Sequence, residues 1–178
     1  MVYLCVQRKT HELKEEVYVS LGSNKGNRAK VLSESVKAMK AFARILASSP
    51  IYETPPWGFS SDQPFLNAVI KLETELNPHE LLKKLLEVER LHGRDRNEEK
   101  PGYEDRTLDL DILFYGDRQI NEDRLHIPHR RLEKRKFILV PFCDIAPDFI
   151  HPGLNRTVQG LLEDLEDPSQ IHKTNYEL

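Results

Sequence analysis

Cysteine is scarce in this chain, and its scarcity limits the kinds of protein that the chain can be. Among 178 residues there are two cysteines, Cys5 and Cys143, far apart and without the close spacing of a metal site. Both stand among apolar neighbours in the sequence. We therefore expect two buried thiols in a reducing cytoplasm, and neither a disulfide framework nor a zinc site.

Long apolar runs are also missing. No segment approaches the roughly 20 apolar residues of a membrane-spanning helix, and the apolar start over residues 1–6 is too short for a signal peptide. The formal net charge is −3 and acids interleave with the arginines, which gives no reason to expect nucleic acid as a partner. We expect a globular, cytoplasmic protein with no membrane contact; a monomer is one state that the sequence allows.

The common glycine-rich phosphate-binding motifs are absent. Gly22-Ser23-Asn24-Lys25-Gly26 lies between a predicted strand and a predicted helix, but it lacks the G-x-x-x-x-G-K-[ST] pattern, and no G-x-G-x-x-G occurs there. We interpret this segment as a structural turn. The histidines show no metal-ligand spacing, and all except His129 are expected at the surface.

What is present is a regular succession of strand and helix patterns. Short β-forming runs between turn formers predict strands, and apolar residues three or four apart predict helices. Asn77-Pro78-His79-Glu80 supplies a helix start with a capping box. The predicted strands are 17–21, 51–53, 65–74 and 107–115, with a short return strand ending at Ile120. The predicted helices are 28–47, 78–91, 137–145 and 161–165.

This order of elements is typical of an α+β fold, the ferredoxin-like βαββαβ core with additional C-terminal helices. The chain length suits one domain. We assign it to residues 17–178, after an N-terminal extension, 1–16, of unassigned role. The polar segment 94–105 contains Pro101-Gly102 and has little to bury. It predicts a mobile loop that closes as a lid over bound substrates.

Asp109 and Asp111 are the sharpest candidates for chemistry. Residues two apart on a strand share a face, so the two carboxylates lie about 6–7 Å apart. They repel each other unless a cation lies close by. Oxygen ligands with open positions suit Mg²⁺ or Mn²⁺ bridging substrate phosphates. The alternative is a half-exposed strand with its polar face in water.

Arginines cluster before and after this strand. Arg94, Arg96 and Arg106 precede it, and Arg124, His129, Arg130, Arg131 and Arg135 follow it. Guanidinium groups match phosphate oxygens through paired hydrogen bonds. Acids, a metal and arginines together suit phosphoryl transfer, which depends on positioning and charge neutralisation. For each arginine alone, a solvated surface charge is the alternative.

Phe65 and Asn67 share a face of another predicted strand and offer a site for a flat heterocycle. The ring can stack on the phenyl group while the amide pairs with the heterocycle's edge. Trp57 and Phe137 are further candidates for an aromatic clamp. Core packing is the alternative for Phe65.

Seven motifs occur in a fixed order over about residues 17–160. They are Leu21-Gly22-Ser23-Asn24, Thr54-Pro55-Pro56-Trp57-Gly58, Phe65-Leu66-Asn67-Ala68, Gly93-Arg94, Arg106-Thr107-Leu108-Asp109-Leu110-Asp111-Ile112-Leu113, Ile127-Pro128-His129 and Ile145-Ala146-Pro147. In this order they resemble the 6-hydroxymethyl-7,8-dihydropterin pyrophosphokinase family of folate biosynthesis. The stretch that begins at Arg106 is the most specific.

The resemblance implies a ferredoxin-like fold and transfer of the β,γ-diphosphate of ATP to the pterin hydroxymethyl oxygen, with release of AMP. It implies two Mg²⁺ ions held by Asp109 and Asp111, which with Arg94 and Arg106 form the catalytic set. The implied ATP contacts are Glu89, Arg94, Arg106, Arg124, His129, Arg130 and Arg135. The implied pterin contacts are Thr54, Pro55, Trp57, Phe65, Asn67 and Phe137.

The chain departs from the family pattern just before Arg106. Glu104-Asp105 stand where a Gly-Pro pair is common, the loop is slightly longer, and Arg130 replaces a common tyrosine. An acidic loop is expected to make closure over ATP more dependent on Mg²⁺. Two other functions stay open: a different magnesium-dependent nucleotidyl or phosphoryl transferase, and a non-catalytic ferredoxin-like binding module. Detection of AMP and a diphosphorylated pterin separates the three.

Overall fold

The computed structural model describes residues 14–94 and 104–178, and a six-stranded antiparallel sheet lies at its centre. The strands are β1 (Glu15–Ser23), β2 (Arg44–Ser48), β3 (Tyr52–Thr54), β4 (Phe65–Thr74), β5 (Asp109–Tyr115), β6 (Ile120–Asn121), β7 (His126–Ile127), β8 (Ile150–His151), β9 (Arg156–Thr157) and β10 (His172–Lys173). The helices are α1 (Arg28–Met39), α2 (Pro78–Leu91), α3 (Lys136–Cys143) and α4 (Val158–Glu163). The predicted strands 65–74 and 107–115 and helices 78–91, 137–145 and 161–165 are therefore confirmed in type.

Strand order in the main sheet is β10-β3-β4-β1-β5, and β2 pairs with a further part of β4. The strands β6 and β7 form one separate hairpin, and β8 and β9 form another. In the described ranges, no helix is long and apolar enough to cross a membrane. The predicted lid, 94–105, lies outside the described residues except at its ends, and so does the extension apart from its last three residues.

Side-chain alternation gives the sheet two apolar faces. Val17 of β1 and Leu110 of β5 pack in one buried cluster with residues of α1 and α2. Tyr18 of β1 and Leu113 of β5 pack in the other, with residues of α3 and α4. Since alternate residues share a face, Asp109 and Asp111 lie on the α3 side. We call that side the functional face.

The start of α2 follows the predicted capping box. The side chain of Asn77 accepts a hydrogen bond from the backbone N–H of Glu80 at 3.0 Å, and the Glu80 carboxylate accepts one from the Asn77 N–H at 2.9 Å. Pro78 occupies the first helical position, where its missing N–H costs nothing. Gly93 follows the helix with a φ of +80°. These local signals fix the helix that carries Glu89.

The predicted helix over 28–47 is wrong in its second half. Helix α1 ends at Met39, and β2 pairs with β4, where Ile45 lies opposite Leu72. Apolar spacing over a few residues fits a strand as well as a helix. Residues 44–48 form a strand because they pair with backbone groups of β4 that would otherwise lie at an open sheet edge.

The predicted return strand after Tyr115 also pairs differently. It forms as β6, whose partner is β7 rather than β5. The reason is local, because Glu122 and Leu125 exchange backbone hydrogen bonds of 3.0 and 3.3 Å and close a tight hairpin. Such a short loop costs little entropy to close.

His151, expected at the surface, is buried. Its Nδ1 accepts hydrogen bonds from the backbone N–H groups of Gly153 at 3.1 Å and Leu154 at 3.2 Å. Its ring also meets Phe114 edge-on at 5.3 Å. Cys143 is partly buried, and burial raises the pKa of its thiol to about 11. Cys5 lies outside the described residues.

Candidate functional site

The centre of the site is set by strand pairing on β1. Gly22 lies opposite Asn67 of β4 on one side and Asp109 of β5 on the other. A Cβ atom at Gly22 would lie 3.0 Å from Asn67 Oδ1 and 3.7 Å from Asp109 Cβ. A side chain at Gly22 would therefore press on the Asn67 amide, whereas its distance from Asp109 is that of an ordinary contact. The interpretation of residues 22–26 as a turn is wrong for Gly22 and Ser23, which belong to β1.

A first cleft opens on the functional face above these strands. It holds about 550 Å³ of space between protein atoms, including the part open to solvent. It is lined by Ser20, Leu21, Gly22, Thr54, Pro55, Trp57, Phe59, Phe65, Asn67, Ala68, Arg106, Asp109, Asp111, Arg135, Phe137 and Ile138. Within it the Asn67 amide donates to Thr54 Oγ1 at 2.7 Å, so both side chains are held in fixed positions.

Aromatic rings and arginines alternate around the first cleft. Trp57 and Phe137 approach to 6.2 Å between ring centroids, and the Arg135 guanidinium lies 5.1 and 5.7 Å from those two rings. The Arg106 guanidinium lies 5.5 Å from the Phe65 ring. Cation–π contacts of this kind hold a ring and a charge together. The cleft thus combines flat apolar walls with two fixed positive charges.

Asp109 is held by arginines on both of its oxygens. Arg94 Nη1 contacts Asp109 Oδ1, and Arg106 Nη1 donates to Asp109 Oδ2 at 2.7 Å. Arg94 also donates to Glu89 Oε1 at 2.9 Å. Burial works against the charge of Arg94, but Asp109 and Glu89 outweigh it and raise the Arg94 pKa. These four side chains form a charged network at the end of β5.

Asp111 has a different environment. The nearest ion-pair partner of its Oδ2 within the described ranges is His129 Nε2, at 3.8 Å. Although a third of the Asp111 side chain is open, at 33% exposure, burial raises its pKa and the charge of Asp109 raises it further. Burial also lowers the pKa of His129. Asp111 is thus a carboxylate with less positive charge beside it than Asp109 has.

A second cleft lies beyond Asp111, toward the β6–β7 hairpin. It holds about 950 Å³, including open solvent, and combines several cationic side chains with an apolar floor. It is lined by Leu82, Leu110, Asp111, Ile112, Arg124, Leu125, His126, His129, Arg130, Arg131 and Arg135. Asp111 and Arg135 line both clefts and therefore stand at their junction.

The structure divides the predicted site residues into three groups. The first cleft collects Thr54, Pro55, Trp57, Phe65, Asn67, Arg106, Asp109, Asp111, Arg135 and Phe137. The second collects Asp111, Arg124, His129, Arg130 and Arg135. Glu89 and Arg94 line neither. The Glu89 side chain is 2% exposed, and its Oε1 accepts from the Leu110 N–H at 2.8 Å, so it supports β5 from beneath.

Asn24 is a residue whose role sequence reasoning missed. It is fully buried, its Oδ1 accepts from the Arg106 N–H at 2.7 Å, and its Nδ2 donates to Asp105 Oδ1 at 2.6 Å. Hydrogen bonds from Ser61 and Asn24 lower the Asp105 pKa. Asn24 therefore fixes the chain immediately before Arg106. Its place in the Leu21-Gly22-Ser23-Asn24 motif was the available signal.

Comparisons with known proteins identify the family of this chain. A family model described as 7,8-dihydro-6-hydroxymethylpterin-pyrophosphokinase matches residues 18–147. A Methylorubrum extorquens protein named 2-amino-4-hydroxy-6-hydroxymethyldihydropteridine pyrophosphokinase is 40% identical over 158 residues, covering 88% of this chain and 96% of its own length. A Haemophilus influenzae protein of the same name is 35% identical and covers 86% of this chain and 95% of its own length.

Some similar proteins are longer. An Arabidopsis thaliana folate synthesis bifunctional protein is 44% identical over 132 residues, which are 27% of its length. Among solved structures, a Plasmodium falciparum HPPK-DHPS protein matches with a TM-score of 0.69 at 17% identity, over 87% of this chain and 45% of that chain. At that identity the match shows the fold, a mixed α/β arrangement with an antiparallel sheet.

Proposed function

Because this chain belongs to the 7,8-dihydro-6-hydroxymethylpterin-pyrophosphokinase family, and so transfers the diphosphate of ATP to hydroxymethyldihydropterin in folate biosynthesis, we propose that its two clefts divide the two substrates between them. The first cleft takes the pterin and the second takes ATP. The observation that carries this division is that Asp111 and Arg135 line both clefts. Transfer then takes place at their junction.

The first cleft suits a flat heterocycle with a polar edge. Trp57, Phe65 and Phe137 supply apolar ring faces, and buried Asn67 supplies an amide in a fixed orientation. Aromatic faces stack on heterocycles, and an amide offers both a donor and an acceptor to the ring edge. Thr54 and Pro55 close the side of the cleft nearest β3. We assign these six residues to pterin binding.

The second cleft suits a nucleoside triphosphate. Arg124, Arg130 and Arg135 bring positive charge, and Leu82 and Ile112 offer apolar surface to a base. Arginine pairs well with phosphate oxygens, and His129 Nε2 faces the same space from beside Asp111. Glu89, predicted from the resemblance as an ATP contact, is assigned an indirect role because it lines neither cleft.

The donor set at the junction fits magnesium. Asp109 and Asp111 offer oxygen alone. Burial raises the pKa of Asp111 and the charge of Asp109 raises it further, and a cation beside the two carboxylates would offset both effects. Within the described ranges, no group of three or more His, Cys, Asp or Glu side chains could hold a metal ion. Phosphate oxygens and water would therefore complete the shell, as is usual for Mg²⁺. We propose two Mg²⁺ ions here, which when bound neutralise charge on the transferred diphosphate.

This chain's own residues then have distinct tasks. Asn67 and the aromatic walls orient the pterin so that its hydroxymethyl group points toward Asp111. Arg106, whose backbone Asn24 holds, keeps the Asp109 carboxylate in place and brings positive charge to the junction. Arg94 contacts Asp109 directly, and Glu89 accepts a hydrogen bond from Arg94. Catalysis of this kind rests on positioning and preorganised charge.

The strand order supports a finer description of the fold. We count β1 as the first strand of the core, β2 and β3 together as the second, β4 as the third and β5 as the fourth. The order across the sheet is then second, third, first, fourth, and α1 and α2 lie on one face. We propose that this is the ferredoxin-like arrangement, extended by β10 and by α3 and α4. We further propose that residues 17–178 form one domain, with β1 beginning two residues earlier, at Glu15.

Calorimetric titration of two variants tests the division of substrates. Asn67→Ala is expected to weaken pterin binding by about 1–3 kcal/mol, roughly 5- to 150-fold, because it leaves polar atoms of the bound ligand unpaired. Its effect on the affinity for the magnesium complex of a non-hydrolysable ATP analogue is expected to stay within about twofold.

Arg124→Ala, in the second cleft, is the matched opposite and is expected to weaken nucleotide binding while leaving pterin binding unchanged. Equal losses for both ligands in either variant would contradict the division into two clefts. Circular dichroism of both variants confirms that they are folded.

A further inference from the structure

The side chain of Lys136 makes two bonds to a distant part of the chain. Its Nζ donates to the backbone carbonyl of Asp167 at 2.9 Å and to that of Ser169 at 2.8 Å. Lys136 begins α3 and stands between Arg135 and Phe137, which both line the first cleft. Because Lys136 is bonded to two carbonyls, its own backbone is restrained. The backbone positions from which the side chains of Arg135 and Phe137 extend are restrained with it.

The segment that Lys136 grips continues to the opposite wall of the same cleft. We call residues 164–178 the C-terminal strap. Its strand β10 pairs with β3, where His172 lies opposite Glu53 and Lys173 opposite Tyr52. Thr174 donates to Ile51 O through both its N–H and its Oγ1, each at 2.9 Å. The strap therefore holds the strand that ends at Thr54.

Thr54 connects β3 to the first cleft. It is the last residue of β3, it is 3% exposed, and its Oγ1 accepts the Asn67 amide. One end of the strap thus supports the polar side of the first cleft through β3. The other end supports the start of α3, and with it Phe137 and Arg135, through Lys136.

Space behind the aromatic wall makes this support necessary. A rear cleft of about 950 Å³, including open solvent, lies between the strap and the wall, and Pro55, Trp57 and Phe137 line it together with Leu165 and Pro168. The rings of Trp57 and Phe137 consequently have open space on the side away from the first cleft. Phe137 also packs against the buried cluster under α3. On the side of the rear cleft close packing is missing, so the position of the rings depends in part on how the backbone is fixed.

We propose that Lys136 is a positioning residue for the pterin, and that the C-terminal strap holds the two walls of the first cleft at the spacing of a flat ring. The inference rests on the proposed assignment of the pterin to that cleft. A separate hydrogen bond, from Tyr52 Oη of β3 to Oδ2 of Asp144 just after α3 at 2.7 Å, does not involve Lys136. We therefore expect the test variant to fold, and circular dichroism checks this.

Steady-state kinetics of Lys136→Met tests the proposal. Methionine keeps an unbranched apolar side chain and removes the ammonium group. The expected result is a pterin KM raised at least fivefold, with the KM for ATP within twofold of the original. Lys134→Met is the matched control, because Lys134 is exposed and lines the same rear cleft, and it is expected to change neither KM. Lys136→Arg, which can still donate to both carbonyls, is expected to restore the pterin KM to within twofold.

Three outcomes would overturn the proposal: an unchanged pterin KM in Lys136→Met, equal rises in both KM values, or no recovery in Lys136→Arg. Asn67→Ala measured in parallel separates this failure from that of the pterin site itself, since Asn67→Ala loses pterin affinity if the site is right. If Lys136→Met does not fold, Thr174→Val decides, because it removes one of the two bonds to Ile51 O. It is expected to raise the pterin KM by more than twofold while the ATP KM stays within twofold, and a pterin KM within twofold would refute the role of the strap.

Discussion

The two aspartates of β5 differ in the positively charged side chains that lie beside each of them. Asp109 accepts from Arg106 and contacts Arg94, and the three side chains are between 14% and 21% exposed. Asp111 has His129 Nε2 at 3.8 Å as its ion-pair partner within the described ranges. Two neighbouring aspartates of one strand are therefore expected to contribute oppositely to stability, although both are assigned to the same metal site.

Replacement of each aspartate by asparagine tests this difference. Asp109→Asn leaves Arg94 and Arg106 without their carboxylate, so we expect a loss of about 1–3 kcal/mol in the free energy of unfolding. Asp111→Asn removes one of two repelling charges, so we expect the stability to hold or rise by up to about 1 kcal/mol. Both variants are expected to lose transfer activity.

Urea unfolding and a coupled assay for AMP measure the two properties separately. A loss of stability in Asp111→Asn as large as that in Asp109→Asn would show that the arginines do not distinguish the two carboxylates. Near-normal turnover by either variant with Mg²⁺ would refute its assignment to the metal site.

At the scale of elements, the hairpin of β8 and β9 carries a built-in sensitivity to acid. His151 Nδ1 can accept its two backbone hydrogen bonds only when it is unprotonated. Burial lowers the pKa of His151, while its own backbone and Glu133 act against that shift. The folded hairpin therefore prefers the neutral ring, whereas the unfolded chain titrates near the ordinary value of about 6.5.

The sign of the resulting pH dependence follows from linkage. The stability that neutral His151 contributes is complete above about pH 6.5 and is lost as the pH falls through the lower pKa of the folded protein. In His151→Asn the amide oxygen can accept the same N–H groups without titrating. We therefore expect this variant to lose less stability than the original protein between pH 7.5 and 5 in urea unfolding. His172→Asn, on exposed β10, is the control, and an identical slope for all three proteins would rule out this role of His151.

At the scale of the whole molecule, the two clefts form one site because Asp111 and Arg135 belong to both. Arg135 is 7% exposed, and its guanidinium lies against the rings of Trp57 and Phe137 while the second cleft opens on its other side. In the proposed division of substrates, its charge reaches the triphosphate and its flat group helps to hold the walls around the pterin.

Arg135→Gln is accordingly expected to raise the KM for both substrates by fivefold or more. This contrasts with Asn67→Ala, which is expected to affect the pterin alone, and with Arg124→Ala, which is expected to affect ATP alone. Initial-rate measurements over a grid of both substrate concentrations distinguish the three patterns. An effect of Arg135→Gln on one substrate only would show that the clefts are not joined through this residue.

Local sequence signals explain which parts of the fold and of the site were predictable. The capping box at Asn77 and Glu80 and the alternation along β5 act within a few residues, so they predict α2 and the shared face of Asp109 and Asp111. Two features were missed: the pairing of β6 with β7 instead of β5, and the burial of His151 against Phe114. The first is a choice between competing partners, and the second is a contact across 37 residues of sequence.

The sequence by itself determined the chemistry: the family motifs, the acid pair of β5 and the arginines around it. The tertiary structure alone decided which of these groups lie beside one another and which of them line both clefts. It placed Asp109 between Arg94 and Arg106, put Glu89 beneath the site, and set Asp111 and Arg135 at the junction of two clefts. The physical reason is that residue type and local pattern fix which groups a chain can present. Which of them meet, and which are desolvated, depends on strand pairing and packing between segments far apart in the chain.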